Sequence, residues 1–139
     1  MEAPRVPDSE SMHFRVRLVT RWSDEDVQGV VNNAVYLTLF EEARHRFFGG
    51  LGLIERGEFP FLLAQCNVRF VAPGRGGVEV DVELSTTHVG TTSLVQAYRV
   101  LEADSGRVWC EAEALLVGWD GTRRAKAPWT DAFRAALRR

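Results

Sequence analysis

Between His13 and Trp22 apolar and polar positions alternate, with Phe14, Val16, Leu18 and Thr20 set against Arg15, Arg17, Val19 and Arg21. A period of two predicts a strand with one wet face. The pattern then changes. From about Asn33 to Phe48, Tyr36, Phe40, Ala43 and Phe47 recur at spacings of four, three and four, with Leu37 beside them. This stripe predicts the chain's one long helix. Asn32 or Asn33 suits its N-cap, since an asparagine oxygen can accept a first-turn amide, and Gly49-Gly50 suits its stop. Four strand-like runs follow, Phe61–Val71, Val78–Val89, Ser93–Ala103 and Arg107–Trp119. The breaks between them, residues 73–77, 90–92 and 104–106, are short and rich in turn formers, which favours antiparallel hairpins. Runs this long predict a twisted sheet able to wrap around one helix. Thr130–Arg139, with a Thr130 cap and Phe133 and Leu137 four apart, predicts a short closing helix.

The expected class is therefore α+β, a five-stranded antiparallel sheet around one long helix with a short C-terminal helix. Residues 1–12, with Pro4 and Pro7 in a polar run, read as a flexible arm, and 13–139 as one domain. One helix covers only one sheet face, so self-association is expected to protect the remaining surface and edges.

Composition narrows the function. The 139 residues are 45% hydrophobic and 26% charged with a formal charge of −2, so no overall basic field favours nucleic acid or an anionic membrane. No apolar run is long enough to span a bilayer, and MEAPRVPDSES lacks a leader's apolar segment. Cys66 and Cys110 stand far apart in apolar stretches, which fits buried reduced thiols and a cytoplasmic setting. His13, His45 and His88 are scattered, so no metal site is expected, and no cofactor motif occurs. Trp22, Trp109 and Trp119 lack interleaved basic residues, which favours core or interface packing over base stacking.

The stretch Asp24-Glu25-Asp26-Val27-Gln28-Gly29-Val30-Val31-Asn32-Asn33 joins the first strand to the helix start. Free amides and the positive dipole end there can polarise a carbonyl. A carboxylate seven residues upstream could attack that carbon or deprotonate a water. A thioester suits such equipment, because a thiolate leaves with little acid assistance. Taken alone, Asp24 and Asp26 read first as turn and capping residues.

The run from Val19 through Asn33 to Leu37, continuing into Phe40-Glu41-Glu42-Ala43-Arg44, resembles the signature of the 4-hydroxybenzoyl-CoA thioesterase family, and the element order is similar over residues 14–120. The resemblance implies a hotdog fold and acyl-CoA thioester hydrolysis. It makes Asp26 the catalytic carboxylate, puts the carbonyl-polarising amide near Asn33, and sets Tyr36 at the edge of an acyl pocket. It also implies homodimers, commonly paired into homotetramers. Val31, with Val30 and Phe40, is expected to add apolar wall. Two departures stand out. Many relatives read Gly-His-Val-Asn-Asn where this chain has Gly29-Val30-Val31-Asn32-Asn33, which leaves less acid/base help. The hairpin at Gly90–Thr92 is neutral where some members carry basic residues for CoA phosphates, so Arg69 and Arg75 become candidates, as does their simpler role as solvated surface cations. Glu41 reads as a surface residue or a partner for Arg44 or His45, although another hotdog branch uses an acid at about its position. Hydrolysis of acyl-carrier-protein thioesters and a non-catalytic acyl-binding domain are the alternatives.

Overall fold

The computed structural model describes residues 1–138; Arg139, the last residue of the expected closing helix, lies outside them. The order is β1 (Phe14–Val19), α1 (Asn33–Gly50), β2 (Phe61–Phe70), β3 (Glu79–Val89), β4 (Ser93–Glu102), β5 (Val108–Asp120), β6 (Ala125–Lys126) and α2 (Asp131–Leu137), with 3-10 turns at Ser9–Ser11 and Trp22–Asp24. The sheet runs β1-β3-β4-β5-β2, antiparallel throughout, and β6 adds to β5. The three hairpin-linked strands thus form the centre, while β1 and β2 are the edges.

Strand alternation decides which face meets the helix. Val80, Val82, Leu84, Tyr98, Val100, Cys110, Ala112 and Ala114 point inward and pack on Leu39, Phe40 and Ala43 of α1. Register shifts at Leu63/Gln65, Thr86/His88 and Val100/Leu101 bend the long strands, because an extra residue on one strand increases local twist. A second cluster of Phe48, Phe61, Leu94, Leu116, Trp129 and Phe133 closes the far end of the helix against α2.

The outer face carries paired charges. Glu83 is buried and meets Arg15, Arg99 and the Ser9 hydroxyl, while Asp81 meets Arg15 and Arg17. Pairing is what makes such burial tolerable. The N-terminal arm lies along this face, where the Arg5 amide donates to Glu113 at 2.6 Å and Asn67 donates to the Glu2 carbonyl at 3.2 Å.

Two expectations are corrected. The helix does not stop at Gly49-Gly50: it runs through both, and Gly52, with φ +72°, takes the left-handed position. Gly52 N–H then donates to Gly49 O and Leu53 N–H to Phe48 O, the two bonds of a Schellman ending. The first strand ends at Val19, because Trp22–Asp24 already turns. Trp109 and Trp129 are buried, and Trp22, 84% exposed within the chain, takes no part in this core. β6 was not legible in its two residues. No helix is long and apolar enough to cross a membrane among the described residues.

Candidate active site

Residues 20–33 fold back on themselves. Thr20 is buried and its hydroxyl donates to Arg75 O at 2.9 Å, which ties the loop to the 73–77 turn. Asp24 is buried and accepts from Arg21 N–H at 2.8 Å and from the Arg21 guanidinium at 2.9 Å. Its backbone carbonyl takes the Asn32 N–H at 2.9 Å, and Asp26 N–H reaches Val30 O at 2.9 Å. Residues 24–26 therefore pair with 30–32, closed by a tight turn. In that turn Gly29 N–H donates to Asp26 O at 2.9 Å. Gly29 has φ +75°, a conformation glycine adopts without steric cost.

The two similar aspartates thus differ in setting. Asp24 is buried and ion-paired. Asp26 is exposed; its Oδ1 accepts from Gln28 N–H at 2.8 Å, and its Oδ2 has no partner among the described residues.

Backbone accounting locates the free donor. Val31 N–H is held by Gly74 O and Asn32 N–H by Asp24 O. Ala34 N–H goes to Asn32 Oδ1 at 3.0 Å and Val35 N–H to Asn32 O at 2.9 Å. Within this run only Asn33 N–H has no partner among the described residues. Asn32 is the cap, so it commits its neighbours' donors and leaves that of Asn33.

Beside Asn33 opens a cleft of about 510 Å³ between α1 and β2, lined by Asn33, Ala34 and Leu37 on one side and Cys66, Val68 and Phe70 on the other. It lies at the free β2 edge, where Leu62, Leu63, Phe70 and Val71 are exposed. Val31 and Tyr36, each 2% exposed, are core residues. Tyr36 reaches the cleft indirectly, through the Phe70 ring 5.5 Å away. Burial pushes its phenol up to about 12, so it stays neutral at ordinary pH. A larger cavity of about 680 Å³ lies under the arm, lined by Pro4, Val6, His88 and Val95, and includes none of the loop.

Other candidates fall elsewhere. Arg75 is paired with Glu102 at 3.2 Å, and Arg69 is exposed on β2. Glu41 is exposed and does not pair with Arg44, which is buried and donates to the Tyr98 hydroxyl at 3.1 Å. His45 sits edge-on to Phe59. Two residues gain interest only in the structure. One is Arg44, which the polar face of the helix pattern concealed. The other is Arg134, whose guanidinium donates to Gly90 O at 2.6 Å and so brings a cation to the neutral hairpin.

The chain is similar to known proteins in sequence and in fold. The acyl-CoA thioester hydrolase YbgC of Escherichia coli is 29% identical over 109 residues, covering 75% of this chain and 80% of that protein. The chloroplastic acyl-acyl carrier protein thioesterase ATL2 of Arabidopsis thaliana is 29% identical over 112 residues, covering 69% of this chain, which spans only 58% of that protein. A Thermus thermophilus thioesterase, solved with coenzyme A and zinc, is 34% identical with a TM-score of 0.78, covering 89% of this chain and 91% of that one. The model of the thioesterase-like superfamily matches residues 20–137. Because that model spans most of the sequence, the chain belongs to the thioesterase-like superfamily.

Proposed function

We propose that the protein hydrolyses acyl-CoA thioesters, with Asp26 as nucleophile or general base and Asn33 N–H as the donor that polarises the carbonyl. The observation that carries this reading is one uncommitted amide and one uncommitted carboxylate oxygen on the two sides of the folded-back loop. Asp26 pairs with Val30, and Asn33 lies three residues farther along that side, so their backbones stand roughly 10 Å apart at a strand's rise. A reacting carbonyl needs about this span: a carboxylate arm, an approach of about 3 Å and an amide contact of about 3 Å. Negative charge developing on the carbonyl oxygen would then meet a donor already oriented at the positive helix end. The apolar cleft beside Asn33 supplies room for the acyl group.

The exposed apolar residues of β2 support assembly through this edge into a homodimer, or a homotetramer of paired dimers. The unbridged Cys66 and Cys110 are compatible with a reducing, cytoplasmic setting. Similarity to ATL2 favours acyl-carrier-protein thioesters as the second reading, with the protein portion of the substrate bound outside the same cleft.

An acyl-CoA panel with free-thiol detection, run on the parent and on Asp26→Asn, tests the mechanism. Loss of the carboxylate is expected to lower kcat by about 10²–10⁴. Stability should stay within about 0.5 kcal/mol, since asparagine keeps the oxygen that Gln28 N–H uses. Parental turnover in that variant would remove Asp26 from the reaction. Faster hydrolysis of matched acyl-carrier-protein thioesters would favour the second reading.

A further inference from the structure

Five charged side chains are buried, and four have a carboxylate or guanidinium partner; Arg44 has none among the described residues. It is 4% exposed, its Nε is buried without a hydrogen-bond partner, and its single polar contact is Nη1 to the Tyr98 hydroxyl at 3.1 Å. That hydroxyl donates onward to Gln96 Oε1 at 2.6 Å, and Gln96 Nε2 donates to Thr86 Oγ1 at 3.1 Å. Every donor in the chain points away from Arg44, so the network disperses its charge without neutralising it. A buried cation left in this state is costly.

The position shows where a counter-charge could enter. Thr86, Gln96, Ala114 and Cys66 form one cross-strand row on the inner sheet face. Ala114 has little bulk, so the row is low between Gln96 and Cys66. Burial pushes the Cys66 thiol up and the charge of Arg44 pulls it back, which marks the two as neighbours. Cys66 also lines the cleft that starts at Asn33. On α1, Ala34 and Leu37 line that cleft, and Glu41 and Arg44 continue the same helix face at spacings of four and three.

We propose that Arg44 is the anion-binding end of the acyl cleft, and that the preferred substrates are thioesters whose acyl group ends in a carboxylate. The proposal rests on the Asp26 and Asn33 reading and adds the substrate class. Its length requirement follows from the helix. Eleven residues separate Asn33 from Arg44, about 16 Å along the axis, and the arginine side chain leans back toward the helix start. This leaves roughly 10 Å between the Asn33 amide and the guanidinium. After a contact of about 3 Å at each end, about 4 Å remains for the chain, roughly three bonds at the extension of a backbone. Diacid acyl groups of three to five carbons, malonyl to glutaryl, fit that span.

The test compares kcat/KM for succinyl-CoA and butyryl-CoA, equal in carbon number and differing in the terminal carboxylate. The unmodified protein is expected to favour succinyl-CoA at least tenfold. Arg44→Met should reduce that ratio at least tenfold, with Arg44→Lys retaining part of it. A ratio of one or less in the unmodified protein overturns the proposal. So does an Arg44→Met protein that loses self-association while keeping the ratio, because the counter-charge would then belong to a second copy. Should Arg44→Met fail to fold, the series from malonyl- to adipoyl-CoA decides on the unmodified protein: a maximum near four carbons supports the proposal and a flat profile refutes it. Equal hydrolysis of both probes leaves the Asp26 mechanism standing, whereas hydrolysis of no thioester removes both.

Discussion

Gly74 lies outside the reacting groups, yet a single methyl added there is expected to damage both stability and catalysis. A Cβ on Gly74 would stand 2.5 Å from Cε3 of Trp109 and 2.8 Å from two further ring atoms. Ordinary contact begins near 3.4 Å, so the loop and the ring must separate by almost an ångström. Trp109 is 1% exposed and cannot yield without disturbing the core. Overpacking of this kind costs about 1–3 kcal/mol, roughly 3–10 °C in Tm for a chain of this size. The displacement also has a direction. Gly74 O holds Val31 N–H at 2.9 Å, two residues before the Asn33 amide, so a moved loop carries the helix start with it. A misplacement of about 1 Å at a reacting group can lower the rate about 10²-fold. Urea unfolding and acyl-CoA turnover of Gly74→Ala measure the two effects together. Gly50→Ala is the control, because its Cβ would meet nothing within 4 Å and alanine in a helix gains about 0.5–1 kcal/mol. A Gly74→Ala protein with parental stability and turnover would refute the linkage between the loop and the helix start.

Asp24→Ala should destabilise by about 1–3 kcal/mol, chiefly because Arg21 N–H loses its buried acceptor; the guanidinium contact adds little, since Arg21 is 74% exposed. Denaturant midpoints check this, and an unchanged midpoint would return Asp24 to the status of a surface turn residue. Leu63→Arg places a charge on the exposed apolar β2 edge and should weaken self-association; sedimentation showing the parental assembly would exclude that edge as the interface. Stability should also fall at alkaline pH. Burial pushes Tyr36, Tyr98 and the Cys110 thiol up to about 12, so above pH about 9–10 the unfolded chain releases protons that the folded chain retains. Each group adds a slope of up to about 1.4 kcal/mol per pH unit between its ordinary value and about 12. Unfolding midpoints from pH 7 to 11 should therefore be flat and then decline, and Tyr98→Phe should soften the decline; a midpoint rising with pH would contradict the burial of these groups.

The helix stripe from Tyr36 to Phe47, the alternation in β1 and the turn formers at 90–92 and 104–106 were readable because local periodicity reports which positions must leave water. The loop signature likewise carried the family resemblance and the choice of Asp26. Other features depended on partners distant in the chain. Gly49-Gly50 lies inside α1 because the Leu53–Phe48 bond, with Phe48 in the aromatic cluster, fixes the ending at Gly52. Asp24 and Asp26 look interchangeable as letters; the fold separates them, giving one a guanidinium and leaving the other an open oxygen. Tyr36 is cut off from the cleft because Phe70, far along the chain, occupies the wall in front of it, and Val31 is buried in the main core cluster. Arg44 shows the limit most clearly. The sequence marked it only as a possible partner for Glu41, and the fold instead buries it against Tyr98 of the curled sheet. The sequence by itself determined which segments are helix and strand and which carboxylate to test, since those depend on neighbours within a few residues. Burial, hydrogen-bond partners and charge compensation were decided by tertiary structure, because each depends on atoms that chain folding brings together from dozens of positions away.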